Sequence, residues 1–347
     1  MKLHENKDDF LVLISNIHKR TGYRSDVIEK DYYVFLFLQE IAILQKNGVK
    51  AYFKGGTALY KALKTTNRFS EDIDLSVDVR GLESRTQKDK MLERATKKFE
   101  SLKRDSSQGF THKSEVEAIY IYDPVATYDS NDELQRFGKL KIEGTSFTIS
   151  EPVEDMEVST LLYDLATRAE KKILEDKYGI HPFLIKTISL ERIFVDKLFA
   201  TEAYVRKSND PHKAFEAAKH IYDLSILKNH VKIKALYQDE KLMKHLLDIR
   251  LEEELNRHDG IPRVLPKDFT FFDNLSANKD VQNAYAKMQQ QYVYKDSDRI
   301  PFEDSVNSIK SIKESLNKNK SWINAKLQEK DLEQDEHEVE EDEVEFE

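Results

Sequence analysis

The chain contains no cysteine, which excludes disulfide bonds and thiolate metal sites and fits a reducing compartment. It also lacks three common signatures. No G-x-x-x-x-G-K-[ST] run occurs, so a P-loop is excluded. Without H-E-x-x-H or G-x-S-x-G, zinc-protease and serine-hydrolase readings have no support. The opening stretch "MKLHENKDDFLVLISNIHKR" holds no apolar run long enough for a signal peptide or a membrane span, so a soluble cytoplasmic protein is expected. No internal repeat is visible. Glycine is scarce, ten in 347 residues, which makes the adjacent pair Gly55 and Gly56 conspicuous.

Enough apolar sequence remains for real cores. Hydrophobic residues make up 39% and charged residues 34%, and the length suits two domains or one large domain with a helical extension. The formal net charge of −9 is a property of the end of the chain. The final seventeen residues, "DLEQDEHEVEEDEVEFE", carry eleven acids and no lysine or arginine, and removing them turns the net charge to +2. Such a run repels itself and buries nothing, so residues 331–347 are expected to be a disordered acidic tail. It either solubilises the chain or shields a basic surface.

Periodicity divides the rest. Residues 8–20 have helical spacing, and "SDVIEKDYYVFLFLQEIAILQKNG" reads as a buried helix with Ser25 and Asp26 as candidate caps and a stop at Gly48. "KAYFKGG" predicts a short strand entering a glycine turn, "TALYKALK" a helix and "EDIDLSVD" an alternating strand. A charged helix is expected over residues 88–104, then strands in "EVEAIYIYDPV" and "GKLKIEGTSFT". Beyond Pro152 strands become scarce. "SLERIFVDKLFATEAYVRK", "DPHKAFEAAKHIYDLSILKNH", residues 239–257, 278–294 and 302–330 read as helices, with a loop over 260–275. The expected fold class is therefore α+β, with an α/β domain over 1–155 and a helical domain over 156–330.

Chemistry concentrates in "FKGGTALYKALKTTNRFSEDIDLSVD". Alternate residues of a strand share a face, so Asp72 and Asp74 project together while Ile73 and Leu75 enter the core. Two neighbouring carboxylates repel unless a cation lies between them, and Mg²⁺ (or Mn²⁺) suits carboxylate and phosphate oxygens. Gly55 and Gly56, bare backbone ahead of a helix from Thr57, would let N–H groups approach a phosphate. Ser70 and Thr57 would add hydroxyl donors. Together these make a candidate site for a nucleoside triphosphate and a divalent metal.

These residues resemble a known family. "GGTALYKAL…RFSEDIDL" is similar to the first motif of the AbiEii/AbiGii toxins, a branch of the DNA polymerase β-like nucleotidyltransferases that also includes the MenT toxins. "SDVIEKDYYVFLFLQEI" resembles that family's leading helix. The resemblance implies a polymerase β-like domain with a mixed sheet and a helical domain that completes the active site. It matches Glu143 in "KLKIEGTSF" to a third carboxylate, Lys197 in "LERIFVDKLFA" to a lysine after the α/β part, and Asp223 in "KHIYDLSIL" to a later aspartate. Glu143 then joins Asp72 and Asp74 as a metal ligand or acts as base, and Lys197 meets the triphosphate. Simpler structural roles exist for each. Glu143 reads equally as an outward strand residue, Lys197 as a packed stem whose head reaches water, and Asp223 as a surface ion pair with Lys219.

The implied activity is transfer of a nucleotide from a nucleoside triphosphate to RNA, specifically the 3′ end of tRNA. It implies a bacterial toxin–antitoxin or phage-defence system with an AbiEi-like antitoxin. A polymerase β-like transferase acting on a small molecule or protein, and a non-catalytic binding module, remain as alternatives. A monomer with no membrane association is expected.

Overall fold

The computed structural model describes residues 2–65, 67–126, 137–255 and 264–326. The expected acidic tail, 331–347, lies outside the described residues. The chain divides into two compact units, one formed by residues 1–189 with 292–298 and the other by 190–291 with 299–347.

The first unit is built on a mixed seven-stranded sheet, counted among the described residues, in the order β3-β4-β5-β2-β1-β7-β6. The strands are β1 (Ala51–Lys54), β2 (Ile73–Val77), β3 (Lys103–His112), β4 (Glu115–Ile121), β5 (Lys139–Thr145), β6 (Val153–Val158) and β7 (Phe183–Ile188). β2 runs parallel to β5 and antiparallel to β1, while β1 runs parallel to β7. The helices are α1 (Lys7–Thr21), α2 (Ser25–Lys46), α3 (Gly55–Lys61), α4 (Arg85–Thr96), α5 (Leu161–Asp164) and α6 (Arg168–Tyr178).

Alternation in the central strands produces two unlike faces. Phe53, Ile73, Leu75, Val77, Ala118, Tyr120 and Ile142 are buried on one. α2 and α4 cover that face. Phe37 of α2 meets Tyr120 edge-on with ring centroids 4.8 Å apart. α4 approaches so closely at Gly144 that a Cβ there would lie 2.5 Å from Thr96 Cγ2. The register leaves Asp74, Glu143 and their neighbours on the opposite, polar face.

α2 confirms the expectation of a buried helix. Fifteen of its residues are buried, Phe35, Phe37 and Leu38 completely. Its first turn differs from the sequence reading, because Arg24 holds the N-cap position and no side chain caps the helix there.

Three further expectations shift. The charged helix ends at Thr96, and Lys103 and Arg104 open β3, an edge strand exposed along nearly its whole length. Nothing in its sequence alternates, because neither face is buried. The division of the chain also falls later than residue 155, since β6 and β7 pair with each other and β7 joins β1 in the same sheet. Finally, the helix read over 302–330 is interrupted at Asn317–Asn319, giving two helices, Phe302–Leu316 and Lys320–Ile323.

The second unit is helical throughout its described residues: α7 (Leu190–Arg206), α8 (Pro211–Leu227), α9 (Val231–Leu236), α10 (Glu240–Leu255), α11 (Phe271–Asn274), α12 (Lys279–Tyr292), α13 (Phe302–Leu316) and α14 (Lys320–Ile323), with short 3₁₀ turns between. The loop expected over 260–275 contains one of these turns and α11 in its described part. Its core includes Phe269, which meets Phe199 and Trp322 edge-on. A buried ion cluster joins α7 to α10, with Arg192 2.5 Å from Glu253 and Arg250 3.2 Å from the same carboxylate. Among the described residues no helix is long and apolar enough to cross a membrane.

Candidate active site

The register of four strands places a row of ionisable side chains on the polar face. Lys54 of β1 lies opposite Asp74 of β2, Asp74 opposite Glu143 of β5, and Glu143 opposite Glu117 of β4. Direct cross-strand partners share a face, so three carboxylates stand side by side. Asp72 precedes β2 by one residue and falls beside Lys141, since Ile73 pairs with Ile142. The register thus places Asp72, Asp74 and Glu143 on the same face. Glu143 points outward from its strand, and it also faces Asp74.

The charges on this face are not evenly satisfied. Lys141 Nζ lies 2.5 Å from Glu143 Oε1 and 3.1 Å from Asp72 Oδ2, bridging the two. Burial alone would lower its pKa, but Asp72 and Glu143 outweigh that and hold the ammonium charged. Lys54 turns to the Thr145 hydroxyl, 3.0 Å away. Asp74 is left with no hydrogen-bond or ion-pair partner among the described residues. Its carboxyl is pushed up to about 7, first by burial and then by Glu143 and Asp72. Glu117 is likewise raised, mainly by burial. The half-buried Asp74 carboxylate therefore has an unmet demand for positive charge.

The glycine turn fits against this carboxylate. Gly55 has φ +78°, and a Cβ there would lie 2.0 Å from Asp74 Oδ2. A Cβ on Gly56 would lie 2.8 Å from Arg68 Nη2 and 2.9 Å from Ser70 Oγ. The absence of side chains is what lets the backbone pass the site. Thr57 is fully buried. Its hydroxyl hydrogen-bonds the Ser70 hydroxyl at 2.9 Å and the Asp72 carbonyl oxygen, fastening the segment ahead of Asp72 to the start of α3.

A set of buried charges missed by the sequence reading braces this arrangement. Glu29, Lys30 and Asp31, consecutive on α2, are each at most 2% exposed. Lys30 donates to the Lys139 carbonyl at 2.5 Å and sits 3.3 Å from Glu71, linking the entries to β5 and β2. Asp31 pairs with Lys61 at the end of α3 at 2.7 Å and accepts from Thr160 and from the Leu161 N–H. Glu29 accepts the N–H groups of Val125 and Ala126. Charges this deeply buried persist only when paired. The only sequence signal for them was a charged triplet interrupting an apolar helix.

In the second unit, Lys197 of α7 and Asp223 of α8 meet at 2.7 Å, with side chains 5% and 0% exposed. The lysine head does not reach water, and Lys219 pairs with Glu216 at 2.8 Å. Lys197 Nζ also lies 3.3 Å from His220 Nδ1, and His220 stacks on Tyr204 at 5.5 Å. An ammonium only donates, so in this contact Nδ1 can only be the acceptor.

Among the described residues, no group of three or more His, Cys, Asp or Glu side chains is arranged to hold a metal ion. The donor set nevertheless suits one chemically. Asp72, Asp74 and Glu143 are hard oxygen donors on one face, and an ammonium already serves as a cation between two of them.

Comparison with curated protein sequences gave no match. Among solved structures, the chain is similar to MenT4, a nucleotidyltransferase toxin from Mycobacterium tuberculosis H37Rv. The identity is 12% and the TM-score 0.41, over 86% of this chain and 98% of that one. Residues 36–316 match the model of a family described as "Nucleotidyl transferase AbiEii toxin, Type IV TA system". With most of its length matched, the chain belongs to the AbiEii nucleotidyltransferase toxin family.

Proposed function

We propose that the protein transfers a nucleotide from a nucleoside triphosphate to an RNA acceptor, the 3′ end of tRNA, and so arrests growth. The observation that carries this reading is Asp74, unpartnered and pushed up to about 7 beside Glu143 and Asp72, within a chain of nucleotidyltransferase family. Asp72, Asp74 and Glu143 would hold the divalent ion, Mg²⁺ or Mn²⁺, which when bound would offset phosphate charge and ease ionisation of the attacking hydroxyl.

The chain's own residues take the remaining roles. Gly55 and Gly56 leave room for phosphate oxygens along the turn, and the Ser70 hydroxyl is within reach of Gly56. Thr57 fixes the turn and the Asp72 backbone, so its contribution to nucleotide binding is one of position. In the transfer itself, the acceptor hydroxyl oxygen bonds to the α-phosphorus and the bond from that phosphorus to the bridging oxygen breaks. Pyrophosphate leaves, and the hydroxyl proton passes to a carboxylate of the acidic face.

Lys197 and Asp223 are assigned to triphosphate binding on the resemblance of their segments to the family's motifs. Asp223 holds Lys197 Nζ in place. An AbiEi-like antitoxin is the proposed partner, and phage defence the proposed setting.

The test is incubation of the protein with Mg²⁺, each α-labelled nucleoside triphosphate in turn, and total tRNA. Label on tRNA is expected. Label on protein or on a small molecule would overturn the acceptor assignment, and no label under any combination would overturn the transfer itself.

A further inference from the structure

The acidic face already contains a cation of its own. Lys141 Nζ is within hydrogen-bond distance of one oxygen each from Asp72 and Glu143, on adjacent strands. A divalent ion held by those carboxylates would need the space that the ammonium fills. The ammonium and the ion cannot share that space, and their like charges repel. We propose that Lys141 is an internal counter-cation that occupies the divalent-ion position between Asp72 and Glu143 and must withdraw before a metal binds. This rests on the reading that Asp72, Asp74 and Glu143 are the metal ligands.

The same face offers the ammonium somewhere to go. Glu117 lies opposite Glu143, and Ile119, two residues along the same strand, lies opposite Lys141. Glu117 is therefore diagonal to Lys141 on the polar face, within reach of a long side chain. Its carboxylate has no hydrogen-bond or ion-pair partner among the described residues, and it feels the charge of Lys141. Lysine has a flexible four-carbon stem carrying a compact charge, which suits a swing from Asp72 and Glu143 to Glu117. With the metal absent, Lys141 relieves the repulsion between the two carboxylates. With the metal present, Glu117 receives the displaced charge.

Two consequences follow for metal binding, measurable without substrate or turnover. Lys141→Met removes the competitor at nearly constant shape, and the side chain is partly exposed, so the fold should persist. Titration of the full chain with Mn²⁺, followed by loss of the free-ion electron paramagnetic resonance signal, should show roughly tenfold tighter binding than wild type. Glu117→Gln should weaken Mn²⁺ binding severalfold in the wild-type background and leave it unchanged in the Lys141→Met background. Asp72→Asn, lacking a ligand, should bind poorly in either.

Equal or weaker Mn²⁺ binding by Lys141→Met, with Asp72→Asn still defective, would overturn the role of Lys141 and leave the metal ligands standing. Wild type and Lys141→Met both failing to bind Mn²⁺, or Asp72→Asn binding as wild type does, would overturn the underlying metal assignment and this inference with it.

Discussion

Lys197 Nζ lies 2.7 Å from Asp223 Oδ2, and both side chains are all but removed from water. Removing one partner from such a pair strands a buried charge. Asp223→Leu is expected to cost about 3–5 kcal/mol in urea denaturation. The double variant Lys197→Met/Asp223→Leu should recover much of that loss, since a well-packed apolar pair is often as stable as a buried ion pair. Transfer activity should stay lost in the double variant. A stable double variant that transfers nucleotide at the wild-type rate would reduce the pair to a structural role.

Asp72→Asn and Asp74→Asn are expected to lower labelling of the acceptor by at least about a hundredfold, the scale on which removing one charge-stabilising group acts in other enzymes. Their effects on stability should differ. Asp74 carries its charge against burial and two like charges, so at pH 8 the neutral Asp74→Asn should melt at or above the wild-type temperature. Asp72 is paired with Lys141, so Asp72→Asn should give no such gain. Thermal melts at pH 8 beside the labelling assay check both statements.

The adjacent glycines are expected to respond differently to alanine. At Gly55 the left-handed backbone costs an L-residue about 1–2 kcal/mol, and the new Cβ displaces the Asp74 carboxylate directly. Gly55→Ala should therefore lose both stability and transfer activity. At Gly56 the nearest atoms are the Arg68 guanidinium and the Ser70 hydroxyl, ends of side chains that can shift. Gly56→Ala should retain the higher activity of the two, and its loss should appear in KM for the triphosphate before kcat. Steady-state kinetics on both variants decides this.

How far these features were readable from the sequence depends on whether they are local. β2 declared itself because one face is buried and the other polar, which imposes a period of two on Ile73, Leu75 and Val77. β3 and β6 lie at the two edges of the sheet, where this constraint is weakest, and neither shows clean alternation. Asp72 and Asp74 could be paired by their spacing alone. Lys141 and Glu117 could not, because only the β2–β5 and β4–β5 registers bring them to the same face. The partners of Glu29, Lys30 and Asp31 are also distant in sequence. Lys61 is thirty residues from Asp31 and Lys139 more than a hundred from Lys30. A charged triplet in an apolar helix signals that partners exist without saying which.

Glu29 gives a prediction that depends on pH alone. Its carboxyl is 1% exposed and is pushed up to about 7 from the usual 4.5, chiefly by burial, against two stabilising N–H bonds from Val125 and Ala126. The folded protein therefore binds this proton more tightly than the unfolded chain does. The stability it contributes is fully present below about 4.5 and is lost as pH rises through about 7, a span worth roughly 3 kcal/mol. Glu29→Gln is neutral throughout and lacks this dependence. Losing one acceptor oxygen should make the variant less stable than wild type at pH 5. The difference should then narrow or reverse by pH 8, because only the wild type must ionise a buried group. Urea denaturation of both proteins at the two pH values cancels the titration of every other group. A stability difference that stays constant between them would mean that Glu29 is already ionised at pH 5.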